Sequence, residues 1–274
     1  MAKTSSALYF DQAAAQYTAQ YQAPTPAGYA LRERQQRVLE LVDRSEGKKL
    51  LDAGCGPAYI APELFKLGYD YWGIDAAPKM LEQYYKQSNG TGRAYLSVGD
   101  VTCIALPNNF FDALICIGVL DRVKDHDPAL AELVRVVKPN GTIIIWFPNL
   151  ISPYAFWKNF IFYPGVALIR PFYFRLLGKP EPPSIYNRAN GSGWGRMFAS
   201  FAKLRIERST AKIMAGYGVA VTEVVYTNFN LFLSPLDEWF PKLAMKTTER
   251  LAKLRFGKLR WLGAGFIIKA KKRP

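Results

Sequence analysis

The stretch LLDAGCGPAYI, residues 50–60, sets the reading of this chain. Leu50-Leu51 opens a buried strand that ends in Asp52, and Gly54-Cys55-Gly56 turns the chain toward a helix. Glycines in such a turn let a ligand's polar groups approach the backbone amides and the helix N-terminus. Gly-x-Gly alone is a weak signal, so its neighbours decide between ligands. A dinucleotide site wants a third glycine three residues after Gly56, where this chain has Tyr59. The next strand ends in Asp75, 21 residues beyond Gly54, where a carboxylate can accept from both hydroxyls of a ribose. The pattern favours a nucleoside over a dinucleotide.

Outward from this turn, short apolar runs alternate with helical stretches. Five strands are expected: KKLLDAG (48–54), DYWGID (70–75), AYLSVGD (94–100), FDALICIG (111–118) and GTIIIWFPN (141–149). Their nearly continuous apolar runs suit strands covered on both faces. Helices are expected near 59–67, 77–88 and 128–137, the last capped by Asp127 ahead of Pro128 and ended by a turn at Lys138-Pro139-Asn140-Gly141. LRERQQRVLELVDR (31–44) reads as an amphipathic helix on the sheet's edge, preceded by a Tyr-, Ala- and Gln-rich arm. VAVTEVVYTNF (219–229) and GAGFIIKAKK (263–272) are two further strands, and 236–261 is a basic helical stretch. The expected architecture is α/β: a Rossmann-like, doubly wound, mostly parallel seven-stranded sheet with a cap inserted after the fifth strand. Its units are an N-terminal helical lid and edge helix (1–45), a ligand-binding core (46–149), an aromatic and basic cap (150–215), and a C-terminal part completing the sheet (216–274).

Composition narrows the function. Half the residues are hydrophobic and 21% charged, which supports a full core and excludes a disordered chain. Cys55, Cys103 and Cys116 are widely spaced and His126 is the only histidine, so neither a disulfide frame nor a metal site is readable. MAKTSSALYF lacks the regions of a signal peptide, and a cytoplasmic location is expected. The net charge of +14 is concentrated late: residues 1–149 carry 15 Lys/Arg against 16 Asp/Glu, 150–205 carry 8 against 1, and 236–274 carry 11 against 3. That asymmetry points to an anionic partner or to a merely solvated basic face.

Four pieces, LLDAGCGPA, WGID, GDVTCIALPNNFFDALICIGVLDRV and LAELVRVVKPNGTIII, resemble in order and spacing the class I S-adenosylmethionine-dependent methyltransferases of the quinone, sterol and small-molecule type. The resemblance covers about 100 residues. It implies S-adenosyl-L-methionine as cofactor, with Gly54 and Gly56 beneath its methionine part and Asp52 orienting that turn. Asp75 would hold the ribose hydroxyls, with Ala76 beside the adenine; Asp100 would accept from the adenine amino group next to Val101, and Ile117 would line the floor. Phe10, Asp11, Ala14 and Tyr17 reproduce an FDxxAxxY opening that relatives use as a lid, which brings Tyr17 to the cofactor. Each acid has a plainer role open to it, as a helix cap or turn residue.

The chain also departs from the family. Where relatives carry a VLEHV-like run it has Val119-Leu120-Asp121-Arg122-Val123, with arginine at the usual histidine position. Asp121 and His126 are the candidate catalytic groups, although a loop histidine between Asp125 and Asp127 equally reads as a solvated neighbour of a helix cap. Ala58 stands where many relatives have glycine, a small substitution read as harmless.

For the acceptor, the Asn/Asp-Pro-Pro-aromatic motif of nucleic-acid amino-methyltransferases and the Pro-Cys of pyrimidine C5 enzymes are both missing. Aromatic residues interleaved with Lys and Arg at 150–178 and 229–262 suit instead a lipophilic small molecule, such as a lipid, isoprenoid quinone or aromatic metabolite, and an anionic membrane surface, with the enzyme peripheral there. The same residues would also serve as the core of the cap. The alternatives are an RNA methyltransferase and a non-catalytic nucleoside-binding module.

Overall fold

The computed structural model describes residues 5–87, 94–123, 125–149, 151–162, 207–229, 236–253 and 260–274, with isolated positions at 165, 169 and 232. Most of the expected cap, with the aromatic residues Phe172, Tyr173 and Phe174, lies outside the described residues.

Seven strands form one sheet: β1 (Lys48–Ala53), β2 (Tyr69–Asp75), β3 (Tyr95–Val98), β4 (Phe111–Cys116), β5 (Val137–Pro148), β6 (Val219–Thr227) and β7 (Gly265–Lys272), in the order β3-β2-β1-β4-β5-β7-β6. β7 runs antiparallel between β5 and β6, and the five-strand block β3-β2-β1-β4-β5 is parallel. The helices are α1 (Ser5–Gln22), α2 (Pro26–Leu41), α3 (Ala61–Lys66), α4 (Pro78–Gln87), α5 (His126–Val136), α6 (Pro153–Phe156, continued by a π-helical turn at Trp157–Phe162), α7 (Glu207–Gly216), α8 (Leu236–Trp239) and α9 (Pro241–Lys253).

Strand alternation sorts the core onto two faces. Leu51, Leu114, Ile143 and Ile268 join Leu130 and Leu133 of α5 and Met214 of α7. Leu50, Ile115, Ile144 and Ile267 join Val38 of α2, Leu64 of α3 and Leu81 of α4. This is the doubly wound arrangement, and its strand order reverses between β1 and β4, where open α/β sheets bind ligands.

Three local expectations change. The cap of α5 is Asp125, whose side chain accepts from Asp127 N–H at 3.2 Å, so His126 is the first helical residue and Pro128 the third. Residues 138–141 turn as expected, but within the bounds of β5, which begins at Val137: they loop out of register between the pairs Phe111–Val137 and Ala113–Thr142. Asn140, at φ 63°, supplies the left-handed residue that turn needs. And α2 lies on the sheet's face, with contacts to β5 and β6, because Val38 and Leu41 enter the core there.

Candidate active site

The β1–α3 turn is shaped for a ligand. The N–H groups of Gly54 and Cys55 both donate to Ile74 O, at 2.8 and 3.0 Å, locking the turn to the end of β2. Gly54 (φ 81°) has no room for a side chain, since a Cβ there would run into Val119 Cγ2. Gly56 (φ 53°) differs: a Cβ would meet nothing, because it would project into a cavity. Ala58, at φ 51° and buried, holds a left-handed conformation at a cost of about 1 kcal/mol. The substitution read as harmless therefore carries strain.

Over this turn, at the carboxyl ends of β1, β2 and β4, lies a cavity of about 410 Å³. Tyr17, Gly54, Gly56, Asp75, Ala76, Asp100, Val101 and Ile117 all line it. Asp75 Oδ2 accepts from Gly56 N–H and Oδ1 from Ala77 N–H, both at 2.8 Å. Each oxygen keeps a lone pair for a ligand hydroxyl. Burial raises the Asp75 carboxyl above its ordinary value, opposed by those two backbone donors. Asp100 Oδ1 accepts from Thr102 N–H and Oγ–H, both at 2.8 Å, leaving Oδ2 for a ligand.

Asp52 is elsewhere. It is 4% exposed, outside the cavity lining, and accepts from the Tyr71 hydroxyl at 2.7 Å. Burial pushes its carboxyl up to about 7, with the Tyr71 bond opposing and the Asp75 charge adding to the rise. A buried acid that close to neutral braces the floor under the turn rather than touching a ligand.

Helix α1 roofs the cavity. Ala7, Phe10 and Tyr17 face it, Asp11 Oδ1 accepts from Lys79 N–H at 2.9 Å, and the Tyr59 hydroxyl donates to Thr18 O at 3.0 Å.

Phe10, Tyr17, Gly118 and Arg122 also line a second chamber of about 570 Å³. Of the two candidate catalytic groups, Asp121 lines this chamber and His126 lines neither cavity. Asp121 lies in a 3-10 turn, Leu120–Arg122, with Oδ2 3.2 Å from Arg122 Nε and a buried Oδ1 that has no partner. Arg34 of α2 and Asn228, given no site role by the sequence, are among the residues that line this chamber. The sequence pattern puts Asn228 inside a strand, but β6 stops at Thr227 and Asn228 turns at φ 60°. An asparagine closing a β run is a turn signal, and no comparable signal marks Arg34.

The sheet order and this cavity define a nucleoside-binding, Rossmann-like protein with an adjoining chamber. Residues 51–145 match the family described as "Methyltransferase domain" and constitute a class I S-adenosylmethionine-dependent methyltransferase domain. Relatives include the mitochondrial ubiquinone biosynthesis O-methyltransferase of Schizosaccharomyces pombe, 33% identical over 36% of this chain and 37% of that protein. Another is the malonyl-[acyl-carrier protein] O-methyltransferase of Serratia marcescens, 32% identical over 52% of each. The chain thus spans about half or less of these relatives. In fold it is similar over 98% of both chains to a structure of the complex between the Haloferax volcanii Trm112 methyltransferase activator and a methyltransferase, with TM-score 0.61 and 15% identity. A Thermotoga maritima SAM-dependent methyltransferase aligns over 97% of this chain and 99% of its own, with TM-score 0.56 and 16% identity.

The cavity residues fit S-adenosyl-L-methionine, the cofactor of this domain class. Gly56 leaves open the space a side chain would fill, Asp75 retains acceptor capacity for a ribose, and Asp100 Oδ2 is available to an amino group.

Proposed function

We propose that the protein transfers a methyl group from S-adenosyl-L-methionine to a hydrophobic or amphipathic small molecule seated in the second chamber. The observation that carries this reading is the shared wall: Phe10, Tyr17, Gly118 and Arg122 belong to both cavities, so a donor in one and an acceptor in the other meet at those residues. Bound cofactor supplies an electrophilic methyl group on a sulfonium. Gly54 and Gly56 give its methionine part access to the turn, Asp75 holds the ribose, and Asp100 with Val101 selects the adenine. Because in-line displacement at a sulfonium needs positioning and little else, α1 contributes by covering the site and excluding water.

The named activities of the relatives, O-methyl transfer in ubiquinone biosynthesis and to malonyl-[acyl-carrier protein], support an acceptor outside nucleic acid. The chain's surface supports an amphipathic one met at an anionic membrane face. Trp239 and Phe240 at the α8–α9 junction are 69% and 54% exposed, and Leu243 is 50% exposed beside Lys242 and Lys246. Among the described residues no helix is long and apolar enough to cross a membrane, so contact of this kind would be peripheral. Mass spectrometry of the purified protein for co-bound nucleoside, followed by labelled-methyl transfer to lipid extract and to RNA, tests the proposal. Label in the lipid fraction supports it, and label in RNA alone replaces it with the RNA enzyme.

A further inference from the structure

The second chamber holds polar groups that methyl transfer does not by itself require. Among the described residues five buried side-chain atoms lack a hydrogen-bond partner, and two of them, Asp121 Oδ1 and Asn228 Oδ1, belong to residues lining this chamber. Asn228 is 6% exposed. Its left-handed backbone is pinned from both sides: its N–H donates to Glu33 Oε2 at 2.8 Å and its carbonyl accepts from Ala264 N–H at 3.0 Å. An acceptor buried in a fixed backbone without a donor is costly, and a ligand donor in the chamber would relieve that cost.

Two cations, Arg34 and Arg122, line the same chamber. Arg34 lies over the Trp146 ring at 4.2 Å and donates through Nε to Ala30 O at 3.3 Å, with no carboxylate in ion-pair range among the described residues. A Cβ placed on Gly118 would come within 3.4 Å of Arg34 Nη1, and Gly118 lines both cavities. Arg34 therefore reaches the junction, where Arg122 also sits. Of the charged groups lining the chamber, Arg122 is paired with Asp121 and Arg34 has no ion-pair partner among the described residues, with the buried Glu33 behind Asn228 the next acid to act on it. The lone histidine lines neither cavity.

We propose that the chamber takes an amphipathic carboxylic acid, its carboxylate held at the junction by Arg34 and Arg122 and a distal hydroxyl donating to Asn228 Oδ1. This rests on the methyl-transfer reading. The planar guanidinium binds one carboxylate oxygen while the other faces the methyl group. A lone pair of that oxygen forms the new oxygen–carbon bond as the carbon–sulfur bond breaks and its electron pair stays on sulfur. The anion and the sulfonium become a neutral methyl ester and a thioether. No proton moves, which accounts for a site whose histidine stands aside.

The test is calorimetric titration of the protein saturated with S-adenosylhomocysteine, using decanoate, 10-hydroxydecanoate and their primary amides. Each acid is expected to bind at least tenfold more tightly than its amide. Arg34→Met should erase that difference with S-adenosylhomocysteine affinity unchanged, while Arg34→Lys should keep part of it. Asn228→Gly, which tolerates the positive φ, should abolish only the preference for 10-hydroxydecanoate over decanoate. Transferred label should be released by mild base as methanol, as from an ester. S-adenosylhomocysteine binding with acids no tighter than amides, or with acids bound equally by Arg34→Met, overturns the carboxylate assignment and leaves methyl transfer standing. Failure of S-adenosylhomocysteine to bind the wild-type protein removes both.

Discussion

Asp52 gives the cofactor floor a measurable pH signature. It is a fully enclosed acid whose carboxyl is raised from 3.8 to about 7, chiefly by burial. In the unfolded chain it ionises near 3.8, whereas in the folded chain it keeps its proton until about pH 7. Below about pH 4 both states are protonated and Asp52 contributes nothing to the pH dependence. As pH rises from there the unfolded state loses its proton first, so stability falls by about 1.4 kcal/mol per pH unit. The fall ends near pH 7, when the folded state ionises too, after a loss of about 4 kcal/mol. Asp52→Asn removes the titration while its side-chain carbonyl still accepts from the Tyr71 hydroxyl. Any offset from the new amide group is independent of pH. Urea unfolding of both proteins at half-unit steps from pH 4.5 to 8.5, monitored by circular dichroism, reads the difference, in which the titrations of groups not coupled to Asp52 cancel. Relative to wild type, the variant should gain stability with rising pH up to about 7 and then run parallel to it. Profiles parallel across the whole range would mean that Asp52 is ionised in the fold and that the burial argument is wrong.

Asp75→Ala should weaken S-adenosylhomocysteine binding by about 1–3 kcal/mol in calorimetry, since it removes charge-assisted bonds; an unchanged dissociation constant in a folded variant would take Asp75 out of the site. The two glycines of the turn should part company. Gly54→Ala meets Val119 and should cost about 2–4 kcal/mol of folding stability, whereas Gly56→Ala should fold within about 1–2 kcal/mol of wild type yet bind cofactor poorly; equal unfolding midpoints for the pair would contradict this. Because α1 roofs the cavity through Phe10 and Tyr17, proteolysis within residues 5–22 should slow when S-adenosylhomocysteine is added, and equal rates with and without it would refute a lid. Tryptophan emission should shift on anionic vesicles as Trp239 and Trp261 insert, with only the electrostatic part of binding screened by salt; binding to RNA and to no vesicle would redirect the basic surface to nucleic acid.

The strands, the Gly54-Cys55-Gly56 turn and the acids at Asp75 and Asp100 can be read from the chain because their causes are local. Apolar runs mark strands covered on both faces, glycine marks a backbone that must turn under a ligand, and the carboxyl end of a parallel strand is where such a sheet binds. Local patterns say less where a neighbour intervenes. Asp52 sits two residues from a ligand-binding glycine in sequence, yet its carboxylate points to Tyr71 instead of the cavity. The strand run 219–229 ends early because Glu33 captures the Asn228 N–H across 195 residues of sequence, a contact no periodicity encodes. The placement of α2 across the sheet's face then decides that Arg34, a charge on an amphipathic helix in the sequence, overlies Trp146 and reaches the junction beside Gly118. The nucleoside half of the site is thus built from consecutive strand ends and is written in the sequence. The second chamber, the proposed acceptor site, is assembled from α2, the turn after β4 and the end of β6, and it exists only once packing brings those distant segments together.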